Sequence, residues 1–372
     1  MQTDIFIVNY FSANQTAQAI GSLGFDSAWI FWVIDNSNDN EEWLRLERAL
    51  APLSLSADIR LERSASNLGF GGACNQLFKK SHAPYLLLLN PDAKLETTQF
   101  KTLIAALEKQ PNIAALAPAM YQSQDRQWAI PCTTPQSIGQ LILDVLIRRH
   151  PAIYRMIWRR YYRTEQAIRH THKLVLQDYL SGAILLIRRA AAQQASPVRG
   201  SLFDERYFMF FEDADLSRRL RQQGFQLAIC PQAIGFHYYQ HHLSKNALMH
   251  TSHALYEEQY FPWLAKLKGI RTVLHCLPHW INAQYSNSTI PTSLEELNLL
   301  LGKRQLIAWS PSPFVMPALW RTPEPHENAS FSIADWDLLA PGQYFAIACE
   351  PIHGRNSLVL TWLRFERSIS LT

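Results

Sequence analysis

Over the first third of the chain, short apolar runs alternate with helix-like segments. The runs fall at residues 4–9, 28–35, 59–63 and 85–90. Strands alternating with helices predict a mostly parallel, doubly wound α/β sheet extending to about residue 118. Three of the runs end in a polar cluster: Asn9-Tyr10, Asp35-Asn36-Ser37 and Asn90-Pro91-Asp92. In open α/β sheets ligands bind outside the strand carboxyl ends, so these clusters are expected to meet in one crevice that takes a nucleotide or similar ligand.

Farther along, residues 123–135 read as a loop and 138–173 as helix. A strand is predicted at 183–187 and a helix at 214–223, which Gly224 ends from a C′ position. A strand at 226–229 leads into a His-rich turn, and 254–267 is again helical. After about Ser286 the pattern changes: Pro and Trp become more frequent, and runs at 305–309, 344–349 and 358–365 read as strands. The expected organisation is one α/β domain over 1–245, a helical extension over 246–285 and a small β-rich unit over 286–372. There are no internal repeats and no low-complexity tract.

The 372 residues allow two domains at roughly 100 to 200 residues each. Hydrophobic residues make up 48% and charged residues 18%, which excludes a disordered chain. Lys and Arg number 35 against 31 Asp and Glu, so the net charge is only +4. That mild surplus, with no recognised binding module, argues against nucleic acid as partner. The five cysteines are scattered and include no Cys-x-x-Cys pair, which fits a reducing compartment. The N-terminus has no basic, apolar, small-residue leader, and no run approaches the length of a membrane span. The expectation is therefore a cytoplasmic protein, soluble or peripheral on the membrane.

Four constellations could carry chemistry. The first, Asn67-Leu-Gly-Phe-Gly-Gly-Ala-Cys-Asn75, is a glycine-rich turn entering a helix. It reads either as a backbone cradle for an anion at a helix N-terminus or as a helix start that needs small residues for packing. Its place after the third strand, not the first, speaks against a nicotinamide dinucleotide. The second is an apolar strand ending in Asn90-Pro91-Asp92. It is good turn chemistry, and it also sets a hard oxygen ligand where a Mg²⁺ or Mn²⁺ bridging a diphosphate would sit. In the third, Tyr207-Phe-Met-Phe-Phe runs into Glu212, Asp213 and Asp215 at a helix start. The helix dipole explains one or two of these acids, whereas the aromatic wall would desolvate a carboxylate and raise its pKa toward general-base duty. The fourth, His237, His241, His242, His250 and His253, lacks the companions of a zinc site, as does His275-Cys276 with His279.

Taken in order, Val8-Asn9-Tyr10, Val33-Ile34-Asp35-Asn36-Ser37, Asn67 to Asn75, Leu89-Asn90-Pro91-Asp92, Tyr179-Leu-Ser-Gly182-Ala183 and Phe211-Glu212-Asp213-Ala-Asp215-Leu-Ser-Arg resemble the inverting glycosyltransferases of family 2. Within that family the chain looks most like bacterial rhamnosyltransferases of cell-surface polysaccharide assembly, O-antigen included. The similarity spans about residues 4–268. It implies a GT-A fold, a nucleotide-sugar donor (dTDP-rhamnose or a UDP-sugar) and a divalent cation, Mg²⁺ or Mn²⁺. By resemblance, Asn9 and Asp35 lie around the nucleotide's base and ribose. Asn67, Gly71 and Asn75 form its glycine-rich nucleotide segment, and Ser181 and Gly182 line the donor sugar. Asn90 stands where the family carries the first acid of Asp-x-Asp, leaving Asp92 as the main metal ligand, with His237 completing the shell. Asp213 matches the catalytic base, and Glu212 supports it or contacts the acceptor.

Residues 143–173 interleave eight Arg and Lys with Trp and Tyr. They read either as an interfacial helix on anionic lipid, where an acceptor carried on a polyprenyl diphosphate would be met, or as a solvated basic helix. Two competing functions remain on sequence alone. One is a sugar-binding protein without turnover, against which the intact Glu212-Asp213 pair argues. The other is a nucleotidyltransferase, which would want a basic glycine-rich signature at the first strand. In the C-terminal unit, Trp309, Trp320, Trp336 and Trp362 could stack on sugars or fill a core.

Overall fold

A computed structural model describes residues 1–131, 150–238, 246–265, 290–302, 304–311, 318–321, 331–337, 339, 341–350 and 359–367. The first part of the helix predicted over 138–173, residues 138–149 with Arg148 and Arg149, lies outside them. So do His241, His242, His275, Cys276, His279, the extension from 266 to 285 and the side chain of Trp362.

The strands are β1 (Thr3–Asn9), β2 (Trp29–Asp35), β3 (Asp58–Arg63), β4 (Tyr85–Leu89), β5 (Ala93–Leu95), β6 (Ile113–Tyr121), β7 (Val175–Gln177), β8 (Ile184–Arg188) and β9 (Gln226–His237). Interleaved helices are α1 (Ala13–Leu23), α2 (Asn40–Leu50), α3 (Gly69–Lys80), α4 (Thr97–Glu108), α5 (Pro151–His170), α6 (Arg189–Gln194), α7 (Glu212–Gln222), α8 (Asn246–Tyr260) and α9 (Pro262–Ala265). These strands form one sheet in the order β3-β2-β1-β4-β8-β6-β9-β5, with β7 paired to β9. Pairing is parallel from β3 to β4. Beyond it, β8 runs antiparallel between β4 and β6, and β5 and β7 run antiparallel to β9.

Side-chain alternation builds two cores, one on each face. Ile5 and Ile7 of β1 point toward α1, α2 and α4, and Phe6 and Val8 point toward α3, α6 and α7. The central strand β4, Tyr-Leu-Leu-Leu-Leu, is buried throughout because both of its faces are covered. The edge strand β3, Asp-Ile-Arg-Leu-Glu-Arg, keeps the charges that discourage further pairing. Helix α2 starts at Asp39, whose side chain accepts a hydrogen bond from the Glu42 N–H at 2.8 Å. Gly224, at φ +86°, follows α7 as expected of a C′ glycine.

A second, antiparallel sheet has the order β11-β10-β12-β13, from Leu319–Trp320, Gln305–Ser310, Gly342–Glu350 and Val359–Arg367. Helices α10 (Leu294–Leu301) and α11 (Ile333–Asp337) pack on one of its faces around Trp309, Phe331 and Phe365. The other face receives Tyr154 and Trp158 of α5. This unit does not close on itself. Trp128 is wholly buried in its core, and Ala129 exchanges backbone hydrogen bonds with Trp320. The architecture is the one implied by the resemblance: a Rossmann-like α/β domain of GT-A kind bearing a small β unit.

Packing decides two open readings and corrects one expectation. Trp309, Trp320 and Trp336 are core residues, not a sugar-stacking platform. The aromatic side of α5 is equally engaged, since the rings of Trp158, Tyr161 and Tyr162 each meet Trp320 at a tilted or edge-on angle, with centroids 5.4 Å apart. The helix expected at 254–267 begins at Asn246 and breaks before Pro262, whose ring removes an N–H and clashes within a helix.

Candidate functional site

Several elements bring the polar clusters together at the carboxyl ends of the parallel strands. Asn9 and Asp35 end the adjacent strands β1 and β2 in register. Asn9 is fully buried and its hydrogen-bonding capacity is exhausted: Nδ2 donates to Asp35 Oδ1 and Glu42 Oε1, and Oδ1 accepts from Ser12 and Thr16. Its side chain therefore supports Asp35. Asp35 Oδ2 is buried and has no hydrogen-bond partner among the described residues. A buried carboxylate oxygen left in that state marks a place where a ligand donor is wanted.

The glycine segment is closely packed. Gly69 has φ +70°, and a Cβ there would lie 2.1 Å from the Phe208 carbonyl oxygen. At Gly71 a Cβ would come within 3.2 Å of Phe203 Cβ. The first amides of α3 are already taken: Leu68 N–H by Asn36 Oδ1, Gly69 N–H by Asn67 Oδ1 and Phe70 N–H by the Phe208 carbonyl. Asn75, also wholly buried, donates to Phe203 O and Glu205 Oε1 and accepts from the Leu202 and Phe203 amides. So Gly71 and Asn75 clamp the loop at 202–208 onto α3, and the phosphate-cradle reading does not hold at these amides. Asn67 is exposed and remains at the rim.

That clamped loop delivers the acids. Phe210 and Phe211 both adopt left-handed backbone, with φ of +68° and +66°, a conformation that costs bulky residues energy and is kept where the surroundings enforce it. The Phe211 ring is held by His253 at 5.3 Å and Tyr256 at 5.5 Å from α8. Immediately after this turn come the three acids of α7, which meet three different fates. Asp215 is buried and fully engaged, paired with Arg219 at 2.7 Å and bonded by Gln259 and Tyr260. Its role is to fasten α8 to α7. Glu212 is 7% exposed, with Oε2 unpartnered among the described residues. Burial, reinforced by the neighbouring Asp213, raises its carboxyl well above the ordinary range.

Asp213 is half-buried. Its Oδ2 accepts hydrogen bonds from the Tyr179 hydroxyl at 2.7 Å and the Gly182 N–H at 3.0 Å, while Oδ1 accepts from Ala214 N–H at 2.8 Å. Desolvation raises its pKa, and these hydrogen bonds oppose the rise. A carboxylate so placed is strengthened as a proton acceptor yet held in one orientation.

The loop with Ser181 and Gly182 continues to Ala183, whose carbonyl accepts the Asn90 N–H at 2.9 Å. Ser181 lies half-buried at this corner and accepts the Ala183 N–H. The Asn90 carbonyl takes the Ala93 N–H, so Asn90-Pro91-Asp92 closes a tight turn into β5. Because Ala93 stands opposite His237 in the β5–β9 register, Asp92 Oδ1 comes 3.2 Å from His237 Nε2. A carboxylate oxygen beside an imidazole nitrogen fits a divalent cation such as Mn²⁺ or Mg²⁺ that takes its other ligands from a diphosphate and water. Among the described residues no cluster of three such side chains exists. His253 pairs with Glu257 instead, at 3.5 Å.

Sequence reasoning passed over Tyr179, Asn36 and Glu42. Tyr179 and Asn36 were inside quoted motifs, but only the folded chain sets the first against Asp213 and the second across the crevice onto Asn67 and Gly69. Glu42 lies in the first turn of α2, and nothing local tells of its bond to Asn9.

Residues 30–265 match the family described as "Glycosyltransferase like family 2". Two curated Mycobacterium tuberculosis proteins, from strains CDC 1551 / Oshkosh and H37Rv, are N-acetylglucosaminyl-diphospho-decaprenol L-rhamnosyltransferases. Each is 28% identical over 209 residues, covering 52% of this chain. The chain covers 64% of the length of these relatives. Among solved structures, GalNAc-T7 with UDP, GalNAc and Mn²⁺ aligns at a TM-score of 0.44 and 13% identity, covering 64% of this chain and 44% of that one. The S. aureus TarS 1–349 complex with UDP-GlcNAc aligns at 0.40 and 12%, covering 63% and 58%.

Proposed function

The chain belongs to glycosyltransferase-like family 2, and we propose that it is an inverting transferase that moves a deoxyhexose, rhamnose from dTDP-rhamnose, onto a growing cell-surface glycan carried on a polyprenyl diphosphate. The observation that carries the reading is Asp213, a desolvated carboxylate oriented by Tyr179 and Gly182 behind a strained aromatic turn. The choice of sugar and of lipid-borne acceptor is supported by the names of the mycobacterial relatives.

Asp213 accepts the proton of the acceptor hydroxyl as that oxygen attacks the anomeric carbon. The bond to the nucleoside diphosphate breaks on the opposite face, and a single displacement inverts the configuration. No protein nucleophile is required. Burial raises the Glu212 carboxyl well above the ordinary range, whereas the hydrogen bonds that Asp213 accepts from Tyr179 and Gly182 favour its charged form. Asp35 Oδ2 is placed to accept a donor N–H or O–H of the nucleotide. Asp92 and His237 would hold the divalent cation, with Asn90 shaping the turn that presents Asp92; when bound, that cation neutralises charge gathering on the departing diphosphate.

A thermal-shift panel tests the donor. dTDP, UDP and GDP and their sugar conjugates are each added with and without Mn²⁺, since a ligand that binds only the native state raises its stability. The expected outcome is a Mn²⁺-dependent rise with dTDP or dTDP-rhamnose. A rise with UDP alone would replace the donor, and no rise with any nucleotide would overturn the reading.

A further inference from the structure

Helix α5 is amphipathic in an unusual sense, because both of its long faces are specialised. Its inner face, Tyr154, Trp158 and Ile168, is 0–3% exposed. Its outer face carries Arg155, Arg159, Arg160 and Arg163, all exposed, and Met156 at 64% exposure lies among them. The spacing at i, i+4, i+5 and i+8 sets the four guanidinium groups along one side of the helix. The single acid of α5, Glu165, is buried and pairs with Arg169 at 3.7 Å on the inner side. None of the four outer arginines has a carboxylate partner among the described residues. An open groove of about 790 Å³ follows this face, lined by Arg155, Met156, Arg159, Arg160, Arg163 and Thr164 among others.

We infer that this outer face of α5 docks the protein on anionic phospholipid headgroups. Four unpaired arginines with no acid between them make a field that such headgroups complement, each cation near the surface contributing about 1 kcal/mol. Met156 offers the apolar contact that a lipid interface accepts. A nucleic-acid backbone would satisfy the charges as well, but it has no use for the exposed Met156, and the chain's net charge is only +4.

The placement relates the surface to the chemistry. The far end of α5 is pinned by Arg169, which donates to the Met120 and Ile130 carbonyls and stacks over Tyr121. Arg169 also shares a small cleft with Tyr179, Leu180 and Ser181, the loop that orients Asp213. The aromatic face cannot insert into a bilayer, because the second sheet holds it through Trp320. The C-terminal unit, which falls outside the stretch matched by the family, thus fixes which face of α5 is turned outward. The inference rests on the reading that the acceptor lies at a membrane, and its test is independent of transfer.

That test is co-sedimentation of the full chain with phosphatidylcholine vesicles containing about one-third phosphatidylglycerol, an anionic surface of the kind that attracts basic segments. The protein is expected to bind these, to ignore pure phosphatidylcholine, and to release as salt shortens the screening length. A fourfold variant, Arg155→Gln, Arg159→Gln, Arg160→Gln and Arg163→Gln, should bind on the order of 10²- to 10³-fold more weakly, the product of four lost charges. Its melting temperature should be unchanged, as the side chains are exposed, and the corresponding fourfold Lys variant should still bind. Undiminished binding by the Gln variant, or capture of duplex DNA in place of vesicles, would overturn the inference. A chain that binds vesicles but shifts with no nucleotide sugar would break the transferase reading alone.

Discussion

The two ends of the main sheet both bury charge, and they treat it in opposite ways. At the amino end, Asp4 is 1% exposed and saturated: Oδ1 accepts the Trp32 indole N–H, and Oδ2 accepts the Ala83 amide and Arg189. Arg189 in turn reaches Ser81 and the Ala83 carbonyl. At the carboxyl end, Asp35 and Glu212 each keep a buried oxygen without a partner among the described residues, and Phe11, Asn38, Phe210 and Phe211 hold left-handed backbone. Energy that is recovered as pairing at one end is left as unmet demand at the other. That asymmetry separates scaffold from site without reference to any relative.

The largest expected effect tests the scaffold end. Asp4→Asn strands the Arg189 charge and should lower stability by about 3 kcal/mol, read as a fall in the denaturation midpoint, because breaking a buried pair leaves an uncompensated ion. Bound-state affinity for the nucleotide sugar should be untouched in the fraction that folds. At the other end, Asp213→Asn should leave the melting temperature and the donor-induced shift nearly intact while transfer falls at least about a hundredfold, the loss expected when a general base is removed. If both variants damaged stability equally, the contrast between the two ends would collapse.

How much of this was legible beforehand differs between the same two ends. The strands, their order of appearance and the convergence of three polar clusters followed from apolar runs that stop at polar residues, a pattern local enough to read. Asp213 and the Asp92–His237 pair were also marked, the latter although its partners lie far apart in the chain. What could not be read was saturation. Nothing in the local sequence of Asn9 or Asn75 tells that four hydrogen bonds enclose each, since the partners come from Glu42, Leu202, Phe203 and Glu205. The same holds for the glycines at 69 and 71, whose need is set by Phe208 and Phe203 across the crevice. The basic helix was seen as basic, but the sheet that claims its aromatic face comes more than a hundred residues later.

A smaller effect should come from Tyr179→Phe. The variant deletes one hydrogen bond to the Asp213 carboxylate and should reduce transfer about tenfold, in keeping with the worth of a bond to a charged group. That hydrogen bond holds the pKa of Asp213 down against desolvation. Its loss lets the pKa rise, so the acid limb of the rate–pH profile should move to higher pH. A drop in rate with an unmoved acid limb would mean that Tyr179 acts on the acceptor and not through the base.

Glu212→Gln should have the smallest effect and the most specific signature. Burial holds the Glu212 carboxyl well above its ordinary range, with the Asp213 charge acting in the same direction. A carboxyl whose folded pKa exceeds its unfolded value gives the fold its full contribution below the unfolded pKa. The contribution is lost as pH climbs toward and through the folded value. Wild type should therefore lose stability on going from mildly acidic to alkaline pH, and the Gln variant, which has nothing to ionise there, should lose less. The gap between the two melting curves should widen with pH and reach about 1 kcal/mol, the lower range for an unsatisfied buried polar group. Because the amide keeps the size of the acid and leaves Asp213 in its cradle, transfer should fall far less than in Asp213→Asn. A gap that stayed constant with pH would show that Glu212 is already compensated, as Asp4 is, and would move it from the site to the scaffold.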